Sequence, residues 1–265
     1  MKINDVRKGY FSQIKIFRAS SLPPSPSAPL PTVVIVSTMH LPTLPPGSTI
    51  CIVGGGSSGI FALREALKVG WIPTLYEQSS SVGGVWRSDN HWKSLTTNSS
   101  YEMMEIPGHP FPFIPSGVFP TRKEICLYVD SFVNKYHLSK YIHFNKKVLD
   151  VINIPNINTD HHNKETWNVT ITNSTTATTT TSTTAAAAAD DQQETINFDL
   201  VLVASGQFNL PKLPICLQTV SLSASQFQGH VLHSREFRNG ADYVNKNVLV
   251  VGLGITLCCF CCFLV

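Results

Sequence analysis

Thr49-Ile50-Cys51-Ile52-Val53-Gly54-Gly55-Gly56-Ser57-Ser58-Gly59-Ile60-Phe61-Ala62-Leu63 sets an apolar run, a glycine turn and the start of a helical pattern in one unbroken stretch. The run from Thr49 to Val53 has the length and apolar character of a buried strand, and residues 60–69 continue as a helix. Between them Gly54, Gly56 and Gly59 have the spacing G-x-G-x-x-G. The first glycine permits the tight turn, the second lets the backbone approach a pyrophosphate, and the third lets the helix pack closely on the strand. Free amides at the helix start attract phosphate charge. A second strand at 73–76 ends at Glu77, roughly twenty residues after the turn, where a carboxylate accepts hydrogen bonds from ribose hydroxyls. Strand, turn, helix, strand and acid in this order predict a dinucleotide-binding βαβ unit, and with it an α/β fold built on a parallel central sheet.

The composition narrows the class of partner. A chain of 265 residues with 43% hydrophobic content buries one substantial core and part of a second domain. A net charge of +3, only 14% charged residues and no long basic block exclude nucleic-acid binding, which needs clustered Lys and Arg. Of the seven cysteines, Cys51, Cys126 and Cys216 are scattered, while Cys258, Cys259, Cys261 and Cys262 crowd the carboxyl end. Such usage fits a reducing, cytoplasmic setting better than a disulfide scaffold. No metal site is expected, because the terminal cysteines lack a histidine or a separate second pair. Residues 1–47 carry no strong periodicity and include a Pro/Ser-rich run at 20–31, so they are expected to be a disordered extension.

Further along, Gly83-Gly84-Val85-Trp86 forms a turn, and residues 107–120, rich in proline and aromatics, predict an irregular segment. Thr121 with Glu124 makes a capping box, and Ile125, Val129, Phe132 and Val133 follow at helical spacing through Tyr136. Short strands are expected at 142–144 and 148–152, and alternation at 166–171 predicts one arm of an antiparallel hairpin whose other arm is 195–198. The Thr/Ser/Ala tract at 173–190 has too little apolar bulk to offset its ordering entropy and reads as a loop insertion. Residues 199–206 are a continuous apolar strand ending in Ala204-Ser205-Gly206, as a central parallel strand does when its carboxyl end approaches a cofactor. Residues 246–254 then begin a second strand and glycine turn with Gly252 and Gly254.

Between the two glycine turns, Phe227, Gly229, His233 and Phe237 read F-x-G-x-x-x-H-x-x-x-F. Together these motifs resemble the flavin-containing monooxygenases over residues from about 50 to 254. The resemblance implies FAD at the first turn and NADPH at the second. FAD contacts then fall on Gly54, Gly55, Gly56, Ser57, Ser58, Gly59 and Glu77, on Gly84, Val85 and Trp86 of the G-G-x-W turn, and on Ser205 and Gly206. Asn98, in a segment similar to the family's L-x-T-N, takes the catalytic position beside the flavin, and Gly252 and Gly254 take the NADPH. The resemblance implies that the motif containing His233 couples the two nucleotide domains rather than transferring protons. Phe237 followed by Arg238 resembles the branch that oxygenates nitrogen and sulfur, so the implied partners are a small nucleophilic substrate and dioxygen, reacting through a C4a-hydroperoxyflavin.

The implied architecture is a Rossmann-like, three-layer FAD-binding domain over 48–244, its parallel sheet accompanied by an antiparallel hairpin, and an incomplete NADPH-binding domain over 245–265. Leu257 departs from the family where a third glycine or small residue is expected. Residues 248–265 are also uncharged and mostly apolar, at the lower limit of roughly 17 residues for a membrane span. The alternative is therefore an FAD-binding chain without turnover, associated with a membrane through that tail.

Overall fold

A computed structural model describes residues 15–16, 44–88, 91–92, 94–154, 166–174, 193–206, 211 and 229–251. The chain divides into two compact units, one of Met1–Gly84 and Val129–Gly206, the other of Val85–Tyr128 and Gln207–Val265.

The first unit is built on strands β1 (Lys15–Ile16), β2 (Thr49–Val53), β3 (Ile72–Tyr76) and β4 (Ile142–His143), with helix α1 (Ser57–Lys68) between β2 and β3. Strands β5 (Lys146–Ile154), β6 (Thr166–Asn173), β7 (Glu194–Phe198) and β8 (Leu200–Val203) follow. One sheet has the order β1-β8-β2-β3-β4, with β8, β2, β3 and β4 mutually parallel and β1 antiparallel at the edge. The expected parallel core is thus present, with β2 at its centre. The corner between β7 and β8 is tied to the start of β2, since the Thr49 amide and hydroxyl donate to Asp199 Oδ2 at 2.8 and 3.1 Å.

Helix α1 packs on β2, β3 and β8. Its buried positions Gly59, Ile60, Ala62, Leu63 and Ala66 recur at three- and four-residue intervals, the stripe an amphipathic helix turns to a core. The opposite face of the sheet meets the antiparallel sheet β5-β6-β7. There Trp167, Val169 and Ile171 of β6 alternate inward and pack with Phe198, Cys51, Tyr76 and Val201. Helix, parallel sheet and antiparallel sheet make the three layers. Burial pushes the Cys51 thiol up to about 12, so it is a neutral core group rather than a nucleophile.

The hairpin arms pair as the alternation suggests, Trp167 opposite Phe198 and Val169 opposite Ile196. Two features differ from the sequence reading. Strand β5 runs from Lys146 to Ile154, longer than 148–152, and turns the hairpin into a three-stranded sheet, with an irregularity between Val148 and Asp150. The added residues are the polar Lys146, Lys147 and Asn153 and an exposed Ile154, so its ends carry little apolar signal. Within the expected extension, Lys15 and Ile16 pair with Val203 and Leu202. Two residues are too few to show a period.

Helix α3 (Arg122–Lys135) runs across the division between the units. It begins at the expected capping box, where the Thr121 hydroxyl accepts from the Glu124 amide at 3.4 Å and Glu124 Oε2 accepts from the Thr121 amide at 2.7 Å. In the second unit, α2 (Tyr101–Met104) and the aromatic loop precede it. Phe111 stacks on Tyr128 with ring centroids 3.9 Å apart, and the Tyr128 hydroxyl donates to the His109 carbonyl at 2.6 Å while accepting from the Ile106 amide at 2.7 Å. Tyr128 thus ties the irregular loop to α3, and Glu124 Oε1 holds it as well by accepting from the Ser116 amide at 2.6 Å. Among the described residues no helix is long and apolar enough to cross a membrane.

Candidate functional site

The carboxyl ends of β2, β3 and β8 bring most of the expected nucleotide-binding residues of the first unit together. Gly54 leaves β2 with a φ of +104°, and its amide donates to the Tyr76 carbonyl at 2.8 Å. A side chain there would meet the Ala204 carbonyl oxygen at 2.6 Å, so the turn lies directly against the end of β8. At Gly59 an added Cβ would land on the Gly54 carbonyl oxygen, which is the close helix-to-strand packing the third glycine was expected to serve.

Gly56 caps α1 without a side-chain hydrogen bond at that end, and the first turn of the helix contains no acidic residue. The amides of Ser57, Ser58 and Gly59 consequently belong to a helix start that favours an anion. Gly84 approaches from the following turn, where an added Cβ would stand 3.1 Å from Gly56 Cα, and the Gly83 amide donates to the Gly55 carbonyl at 2.9 Å. The two glycine turns are therefore one packed unit. Ser205 and Gly206 continue β8 beyond Ala204 and are exposed, Gly206 with a φ of +83°.

Glu77 is 7% exposed and lies across this turn. Its Oε2 accepts from the Gly55 amide at 2.6 Å, while Oε1 accepts from the Ser79 amide at 2.8 Å and the Ser79 hydroxyl at 2.7 Å. The backbone of Glu77 is held as well, its amide donating to the His143 carbonyl and its carbonyl accepting from the Lys146 amide at 2.9 Å. Ser79 was not foreseen as part of the site. Its only sequence signal is a short hydroxyl two residues beyond the acid.

The remaining expected residues belong to the second unit. Val85 is 63% exposed, and the Trp86 carbonyl accepts from the Cys126 thiol at 3.4 Å. Asn98 is exposed, in a bend whose neighbours are fixed. The Thr97 amide donates to the Pro120 carbonyl at 2.9 Å, and Thr96 bridges Thr121. His233 accepts from the Arg235 amide through Nδ1 at 3.1 Å, and its own amide donates to Glu236 Oε2 at 3.1 Å. It thereby caps a short 3-10 turn. Phe237 is buried and stacks with Tyr243 at 5.7 Å. Gly252 and Gly254, with the cysteine-rich tail, lie outside the described residues.

A family model described as flavin-binding monooxygenase-like matches residues 47–262. The chain belongs to that family. Among curated relatives of this flavin-binding monooxygenase-like chain, it is 32% identical over 221 residues to the human flavin-containing monooxygenase 3, covering 80% of this chain and 37% of that protein. It is 31% identical over 218 residues to the Rattus norvegicus flavin-containing monooxygenase 3, covering 79% and 36%. The chain thus spans little more than a third of the length of these relatives. Its fold is similar to that of S-allyl-L-cysteine S-oxygenase from Allium sativum, with a TM-score of 0.55, 21% identity and coverage of 74% and 44%. A second solved relative, Tmm from Pelagibacter sp. strain HTCC7211, gives a TM-score of 0.55 at 21% identity, with coverage of 74% and 43%. The family match runs through the second glycine turn with Gly252 and Gly254.

Proposed function

We propose that this flavin-binding monooxygenase-like chain carries the FAD site of an NADPH-dependent monooxygenase that oxygenates a nucleophilic nitrogen or sulfur of a small molecule. The observation that supports it best is the cradle formed by Gly54, Gly56, Gly59 and Gly84 in front of an uncapped helix start, with the Glu77 carboxylate across it. The backbone at 54–59 holds a pyrophosphate by amide donation, and Gly54, Gly55, Gly56 and Gly59 set no side chain of their own in its path. Glu77 accepts from the ribose through the lone pair left on Oε2. Ser205 and Gly206 border the same turn. Gly84, Val85 and Trp86 line the nucleotide along the G-G-x-W turn, Asn98 hydrogen-bonds the reacting end, and Gly252 with Gly254 receives the NADPH.

Bound FAD supplies the chemistry these side chains lack, accepting hydride from NADPH and activating dioxygen. The chain's own residues anchor, orient and exclude. Nothing in this division of labour requires an acid or base from the protein. The domain limits follow the same reading, with the FAD domain at 48–244, the NADPH domain beginning at 245, and a tolerated insertion at 173–190. Reaction with NADPH and the free thiols of Cys51 and Cys126 suit the cytoplasm.

The test is the visible spectrum of the purified chain before and after anaerobic NADPH. Flavin bands that bleach on addition are the expected result. Bands that persist would assign FAD binding alone to the chain, its alternative reading, and a colourless protein that takes up no added FAD would overturn both.

A further inference from the structure

We propose that Ser79 is a positioning residue for ribose recognition, its hydroxyl fixing the Glu77 carboxylate so that Oε2 stays at the glycine turn. The proposal rests on the dinucleotide reading of this site. A carboxylate on two rotatable bonds can present either oxygen, or neither, to a ligand, and ordering it costs side-chain entropy that binding must recover. Here that ordering is complete before any ligand arrives. Oε2 is claimed by the Gly55 amide at 2.6 Å, and Oε1 receives two donors from one residue, the Ser79 amide at 2.8 Å and hydroxyl at 2.7 Å.

An ionised carboxylate offers about four lone-pair sites, and three donors occupy three of them. The two donors on Oε1 fill that oxygen, so the vacant site lies on Oε2, beside the turn where the nucleotide is read to sit. Ser79 thus decides which oxygen faces the ribose. Its hydroxyl also lies 2.9 Å from the Ser81 carbonyl, and a single proton serves one acceptor at a time. The shorter contact and the negative charge assign it to Glu77. The backbone of Ser79 is pinned independently, its carbonyl accepting from the Asn145 amide at 3.1 Å. Removing the hydroxyl therefore leaves the segment in place and takes from Oε1 one of its two donors, so the carboxylate is held less firmly. Because Ser79 is exposed, water replaces part of the lost hydrogen bond and the effect is moderate.

The experiment compares ADP with 2′,3′-dideoxy-ADP, which lacks both ribose hydroxyls, by calorimetric titration of the flavin-free full chain and its S79A, S79T and E77Q variants. The wild-type chain should prefer ADP, and S79A should shrink that preference by roughly threefold while leaving the dideoxy affinity unchanged. S79T, which keeps the hydroxyl, should restore the wild-type ratio. If S79A loses its folded circular dichroism signal, S79C, nearly isosteric with serine and a weak donor, should show the same reduced ratio. A ratio unaltered in S79A beside a collapsed ratio in E77Q would overturn the role of Ser79 alone, as would an equal weakening of both nucleotides. A wild-type chain without preference, matched by E77Q, would overturn the ribose reading of Glu77 and this proposal with it.

Discussion

At the residue scale the decisive contacts are those that admit no side chain. Gly59 sits where a methyl would strike the Gly54 carbonyl oxygen, and that oxygen belongs to a residue already committed by its amide to Tyr76 and by its Cα to Ala204. The obstruction is backbone, so it cannot swing aside as a flexible side chain would. Gly59→Ala must open the turn or displace α1, at a cost of about 1–3 kcal/mol by analogy with overpacked cores. Urea unfolding should show a lower midpoint with an unchanged slope, and the flavin retained on purification should fall. A wild-type midpoint would mean that the helix start is not packed on the turn at all. The glycine pattern was readable in the sequence because spacing alone reports backbone constraints of this kind. Ser79 was not, because its meaning depends on the Glu77 rotamer, which no spacing records.

At the scale of elements, α3 shows how a local signal becomes a pH dependence. Desolvation pushes the Glu124 carboxyl up, but hydrogen bonds from the Ser116 amide and from the Thr121 amide and hydroxyl outweigh it and hold the group at about 2, against an ordinary 4.5. A depressed folded-state value means that the unfolded chain takes up the proton first. The stabilisation is therefore full above about 4.5 and is lost as pH falls toward about 2. Thermal melts of the wild type should drop across that window, and E124Q should melt lower at neutral pH and converge with the wild type at the acid end. Parallel curves for the two proteins would remove Glu124 from the acid response. This cap was legible because a capping box is written in four consecutive residues. Strand β5 was legible only in its middle, since its ends, Lys146 and Lys147 on one side and Asn153 with an exposed Ile154 on the other, are specified by pairing with β6.

At the scale of the whole chain, the first unit is closed by contacts between segments far apart in sequence. Strand β8 reaches the edge of β2, Ile50 beside Leu200, only after the chain has passed through the second unit and the antiparallel sheet. Sequence reading supplied the strands but not this closure, because pairing partners so distant leave no local trace, and for the same reason the β1 pairing with Val203 was invisible. The loop between β6 and β7 lengthens the path further, although its ends are already brought together by the pairing of Ile171 with Glu194. Closing a loop costs an entropy that grows with the logarithm of its length, so replacing residues 175–192 by a short glycine-containing turn should stabilise the chain by about 1 kcal/mol. The melting temperature should rise by a few degrees with flavin content unchanged, since the pairing of Ile171 with Glu194 keeps the ends of that loop in place. A fall in both would show that the Thr/Ser/Ala tract packs against the unit rather than merely connecting its strands.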